Sequence, residues 1–135
     1  MPIQMKWTFI VNICLFCNLF GSPEIEFFEK KIRPILVDEC YQCHSEENKI
    51  KGNLRLDWKG GWLSGGDSGQ AIIPGQLGKS LLIQAIRHGN DELQMPPKKK
   101  LLAQQIEDLE KWVVMGAPDP RTSETPSKAE KKLNL

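Results

Sequence analysis

Cys40-Tyr41-Gln42-Cys43-His44 sets two thiols and one imidazole at positions i, i+3 and i+4 of a single short segment. On a helical turn these positions share a face, so the three side chains approach one flat ligand together. CxxCH is the spacing of covalent haem attachment, in which Cys40 and Cys43 form thioethers to the porphyrin and His44 reaches its iron. Haem iron takes nitrogen or sulfur axial ligands, and a His/Met pair raises the reduction potential. Met95 is the candidate for the sixth position. One covalent haem would dominate the interior of such a chain. At 135 residues the sequence holds at most one small domain with extensions, and a large apolar plate gives a short chain something to bury against.

Two other chemistries share part of the pattern. Zinc needs four ligands, and beyond Cys40, Cys43 and His44 the only further histidine is His88. A redox dithiol wants a βαβ pattern around CxxC, which the flanking residues do not offer. Haem is therefore the first expectation, with zinc and a redox dithiol as the alternatives.

Residues 1–21 read as an export signal with an uncertain cleavage point: Lys6, then the mainly apolar 14-residue run from Trp7 to Phe20, then Gly21-Ser22. The run is shorter than the roughly 20 residues of a membrane-spanning helix, and Asn12 and Asn18 weaken it. A cut is expected between Cys17 and Ser22, with an uncleaved membrane anchor as the alternative. Cys14 and Cys17 repeat the CxxC spacing without a following histidine and read as packing residues of the leader. The expected location is the periplasm or another extracytoplasmic side of the envelope. There, lone thiols at Cys40 and Cys43 would tend to oxidise unless haem consumed them. The net charge is +1, and loss of Lys6 leaves 17 basic against 17 acidic residues, so nothing in the charge points to nucleic acid.

Residues 22–120 are expected to form the haem domain. Ser22-Pro23 is a helix start, and Phe27, Phe28, Ile32 and Ile35 recur at near-helical spacing, with a kink or break expected at Pro34. Eight glycines between Lys51 and Gly78 exclude a long helix there. Leu54-Arg55-Leu56 and Ala71-Ile72-Ile73 are expected as two brief strands, and Trp58 and Trp62 either cover a face of the cofactor or fill the core. Gly78-Lys79-Ser80 resembles the end of a phosphate loop but lacks the required glycine at position 73. A helix is expected from Lys79 to His88, stopped by Gly89.

Met95 sits 51 residues after His44 and is stiffened by Pro96 and Pro97, ample chain to pass around a haem edge. His88 and Met115 are its rivals as ligand. Lys98-Lys99-Lys100 reads as a solvated turn, or as a steering patch for an acidic redox partner if it borders the haem edge. The last helix is expected over Ala103 to Met115, with Leu102, Ile106, Leu109 and Val113 inward and Gly116 as its stop. Residues 121–135 read as a disordered polar tail or linker.

These motifs together, with Gly65-Gly66-Asp67-Ser68-Gly69, Pro74-Gly75, Ser80-Leu81-Leu82, Arg87-His88, Met95-Pro96-Pro97 and Met115-Gly116-Ala117-Pro118, resemble the planctomycete-type cytochrome c domain over roughly Phe27 to Pro120. The resemblance implies a mainly α, cytochrome c-like domain carrying haem c on Cys40 and Cys43, with His44 proximal and Met95 distal. Relatives of this type commonly precede larger domains in exported proteins. A free-standing carrier and a module of a longer protein are both open here. Leu101-Leu102-Ala103 departs from the pattern, since no Ser or Thr is available to cap the final helix, and its first turn is expected to fray.

The leading expectation is an exported electron carrier rather than an enzyme, with an unidentified redox protein or fused domain as partner. A peroxidase-like haem enzyme with a labile sixth ligand is the second reading. A structural or docking module built on haem or zinc is the third.

Overall fold

The computed structural model describes residues 21–124. The expected leader up to residue 20, with Cys14 and Cys17, and residues 125–135 of the polar tail lie outside the described residues.

The domain is mainly helical. Ser22 caps the first helix as expected, its Oγ accepting the Ile25 N–H at 3.3 Å, and Pro23 occupies the first turn of α1 (Pro23–Phe27). A π-helical turn over Phe28–Ile32 then leads into α2 (Arg33–Glu39). The disturbance expected from Pro34 lies just ahead of it, where the Arg33 N–H reaches back five residues to the Phe28 carbonyl. The widened turn rotates the register so that Phe28, Ile32, Ile35 and Leu36 are all buried. Phe27 stays half-buried, beneath the Lys111 ammonium at 4.9 Å from its ring centre.

The glycine-rich stretch forms α3 (Lys59–Ser64), a helix short enough to carry two glycines. A Cβ on Gly61 would lie 2.7 Å from the Arg55 carbonyl oxygen, so this close approach of backbones requires glycine. Neither expected strand forms. Neither residues 54–56 nor residues 71–73 pair with a neighbour as a ladder, and the described residues contain only the isolated bridges His44↔Ile50 and Gly66↔Gly69. The physical reason is spatial: the Leu56 N–H goes to the His44 carbonyl and the Ile73 N–H to the Ser80 side chain, so neither segment has a partner strand.

The helix expected over Lys79 to His88 is shorter, α4 (Leu81–Ile86), because Leu77–Lys79 forms a separate 3₁₀ turn and His88 is left-handed at φ +53°. Ser80 between them is fully buried. Its Oγ accepts the Ile73 N–H at 2.9 Å and donates to the Gln76 carbonyl at 2.8 Å, a turn-organising role.

The last helix is α5 (Ala103–Val114). Leu102 is not the inward residue its spacing predicts. It sits before the helix with extended backbone and 71% exposure, and Leu101 is buried in its place. The missing Ser/Thr cap is offset by Gln105, whose Oε1 accepts the Leu102 N–H at 3.0 Å. Gly116 at φ +98° ends the helix.

The core is aromatic at its centre. Trp112, fully buried, stands 5.8 Å from Phe28 and 6.0 Å, edge-on, from Trp62, contacts that contribute about 0.5–1.5 kcal/mol each beyond area burial. Trp62 Nε1 donates to Asp119 Oδ2 at 2.9 Å. Arg121, expected in the polar tail, is instead drawn inside. Its Nη2 donates to Asp119 at 2.7 Å, Nη1 reaches both the Tyr41 hydroxyl and the Leu56 carbonyl at 2.8 Å, and the guanidinium lies 5.1 Å from the Phe28 ring centre.

The Asp119 side chain is wholly buried beside a 9%-exposed Arg121. Burial alone would raise its pKa. Hydrogen bonds from Arg121 and Trp62 and the Arg121 charge outweigh that and hold it below the ordinary 3.8. A carboxylate with a depressed folded pKa adds stability that is complete above the unfolded value and disappears as pH falls through the folded one. Arg121→Ala leaves a buried, unpaired carboxylate and should cost about 3–5 kcal/mol at neutral pH. Urea unfolding at pH 7 and in progressively more acid buffer checks both points: the penalty should be large at pH 7 and shrink as pH falls through the depressed pKa of Asp119.

Candidate functional site

The CxxCH residues occupy a hydrogen-bonded turn directly after α2. The Cys43 and His44 N–H groups both donate to the Cys40 carbonyl, at 3.1 and 3.0 Å. The turn is pinned from the following segment: the Lys51 N–H donates to Cys43 O and the Leu56 N–H to His44 O, each at 2.8 Å. Ser45 closes it by donating its hydroxyl to the Tyr41 carbonyl at 2.6 Å.

His44 Nδ1 lies 3.2 Å from the Leu54 carbonyl oxygen. A carbonyl only accepts, so Nδ1 carries the proton and the Nε2 lone pair remains available to a metal. The ring lines an open apolar cleft of about 160 Å³. Leu54, Ala71, Leu81, Leu82, Ala85 and Leu93 form its apolar walls, Gly52, Gly66 and Gly69 a wall without side chains, and Lys51 and Ser68 contribute the other lining. Met95 lines the same cleft and is 38% exposed.

The predicted site residues are thus partly brought together. His44 and Met95 share the cleft, whereas Cys40 packs against the core and Cys43 is half-buried beside it. No disulfide joins the two cysteines, and burial, with Glu39 and Cys43 nearby, pushes the Cys40 thiol up to about 12. Of the three candidates for the sixth position, Met115 ends α5 and His88 lies behind Met95, so neither lines the cleft. Trp62 is a core residue, and Trp58 lies under the Arg55 guanidinium at 5.4 Å; neither faces the cleft. Among the described residues, no group of three or more His, Cys, Asp or Glu side chains is placed to hold a metal ion, so the zinc reading finds no ligand set. Lys99 pairs with Glu39 at 2.9 Å, tying the segment after Met95 to the residue before Cys40.

The donors fit a haem. One imidazole nitrogen is free, a thioether lies in the same apolar cleft, and the glycine wall leaves room for a plate. Sequence reasoning missed the two hydrogen bonds that organise these donors, His44 to Leu54 and His88 to Met95. Neither has a local signal, because each bond ends on a backbone carbonyl that the sequence does not mark.

Residues 40–99 match the family model described as Planctomycete cytochrome C. The match supports a planctomycete-type cytochrome c domain over this segment, and that family implies covalently attached haem c. The match is narrower than the Phe27–Pro120 resemblance and leaves α1 and α5 outside it. No curated protein and no solved structure matches the chain significantly. Among the described residues, no helix is long and apolar enough to cross a membrane.

The glycine wall gives a direct test. A Cβ on Gly66 would fall 2.6 Å from the Gly52 carbonyl oxygen and 3.0 Å from Leu54 Cβ, pushing on the segment that holds the His44 ring. Gly66→Ala should destabilise the domain by about 1–3 kcal/mol in urea unfolding. Gly78→Ala, where a Cβ meets nothing within 4 Å, should change stability by less than about 0.5 kcal/mol.

Proposed function

We propose that this chain is an exported single-electron carrier in which Cys40 and Cys43 attach haem c, His44 is the proximal ligand and Met95 the distal one. Haem c supplies, when bound, a one-electron couple between ferrous and ferric iron. The observation that carries the reading is that His44 and Met95 line one apolar cleft, with His44 Nδ1 committed to Leu54 and its other nitrogen free.

The residues divide the work. Leu54 orients the His44 ring and, by accepting from Nδ1, raises the basicity of Nε2. The leucine and alanine walls exclude water, which favours the less charged state of the centre and tunes its potential. With His44 and Met95 both holding a bound haem, no coordination position would remain for substrate, which favours a carrier over a peroxidase-like enzyme. Lys51 on the cleft lining, with exposed Lys98 and Lys100 following Met95, offers positive charge to an acidic redox protein or fused domain.

Protein made with the cytochrome maturation machinery should give a pyridine haemochrome spectrum with one covalently held haem per chain. Cys40→Ser combined with Cys43→Ser should release all pigment into acidified organic solvent. Met95→Ala should erase the weak sulfur-to-iron charge-transfer band of the oxidised state and lower the potential by on the order of 100 mV, part of the roughly 0.8 V that axial ligands control. A Met95→Ala protein with an unaltered oxidised spectrum rejects this ligand. Wild-type protein that binds azide or carbon monoxide readily at native pH favours the enzyme reading instead.

A further inference from the structure

We propose that His88 is a positioning residue that holds Met95 in place for the iron, a role that rests on the Met95 ligation proposed above. His88 Nε2 lies 3.1 Å from the Met95 carbonyl oxygen. The acceptor is a carbonyl, so Nε2 is the protonated nitrogen. The Met95 N–H in turn donates to the Ala85 carbonyl at 3.1 Å, and the same carbonyl accepts the His88 N–H at 3.2 Å. Both backbone polar groups of Met95 are therefore tied to the end of α4. The thioether is left as the part of the residue free to serve the cleft.

The local backbone is arranged for this contact. His88 has φ +53°, a left-handed conformation uncommon for residues with a Cβ and tolerated best by Asn, Asp and His. It lies beyond the last turn of α4, seven residues before Met95. His88 itself is not on the cleft lining, so it acts through Met95 and touches no cofactor. Ordering the sulfur in advance removes part of the entropy that ligation would otherwise cost, so loss of the imidazole should show as easier displacement of Met95.

The test uses the haem-loaded protein and azide as the competing ligand. His88→Gly accepts the positive φ and removes only the side chain. Azide should then displace Met95 at roughly five- to tenfold lower concentration, with a weakened sulfur-to-iron charge-transfer band. His88→Gln, which keeps an amide N–H at similar reach, should recover most of the difference. An azide midpoint in His88→Gly within about twofold of wild type, alongside a Met95→Ala protein that has lost the band, overturns the role of His88 alone. A Met95→Ala protein that keeps the band removes the ligation, and the positioning role with it.

Discussion

The buried pair of Asp119 and Arg121 is the interaction on which the rest of the domain depends. From one guanidinium, contacts run to Phe28 in the first helical segment, to Tyr41 inside the CxxCH turn and to the Leu56 carbonyl after it. Asp119 adds Trp62, and Trp62 meets Trp112 of the last helix. Taking two charges out of water is expensive, and the pair persists because nearly every polar atom in it is satisfied. Its value is mechanical: it fixes the turn bearing the cysteines against both chain ends of the core.

The site follows from that anchorage. With the turn held, Lys51 and Leu56 return to the carbonyls of Cys43 and His44, and Leu54 between them offers its own carbonyl to the imidazole. The glycines across the cleft keep this segment close. Gly66 stands where any side chain would collide with Gly52, whereas Gly52 and Gly69 are set by their positive φ of +60° and +113°.

What the sequence shows well is what neighbouring residues decide among themselves. The Ser22 cap, the disturbance near Pro34, the Gly116 stop and the CxxCH turn all arise within five residues of their cause, and each is present. The misreadings involve distance. Leu54–Leu56 has the composition of a strand but no strand beside it, and Leu102 fits a helical rhythm that begins one residue later. Arg121 belongs by composition to a polar tail, yet its partners lie 65 and 80 residues away, where no local pattern announces them. In the site, His44 and Met95 are named by chemistry alone and line one cleft, whereas the hydrogen bonds to Leu54 and His88 became visible only in three dimensions.

The carbonyl of Ala85 accepts amides both from the end of α4 and from the methionine. The inner face of that helix, Leu82, Ile83 and Ile86, is embedded in the same hydrophobic interior as the tryptophans. The backbone of Met95 is therefore tied to a helix seated in the core. Under the Met95 ligation proposed above, loosening of that interior would register in the colour and voltage of a bound haem, so optical and electrochemical traces would become gauges of packing far from the cleft.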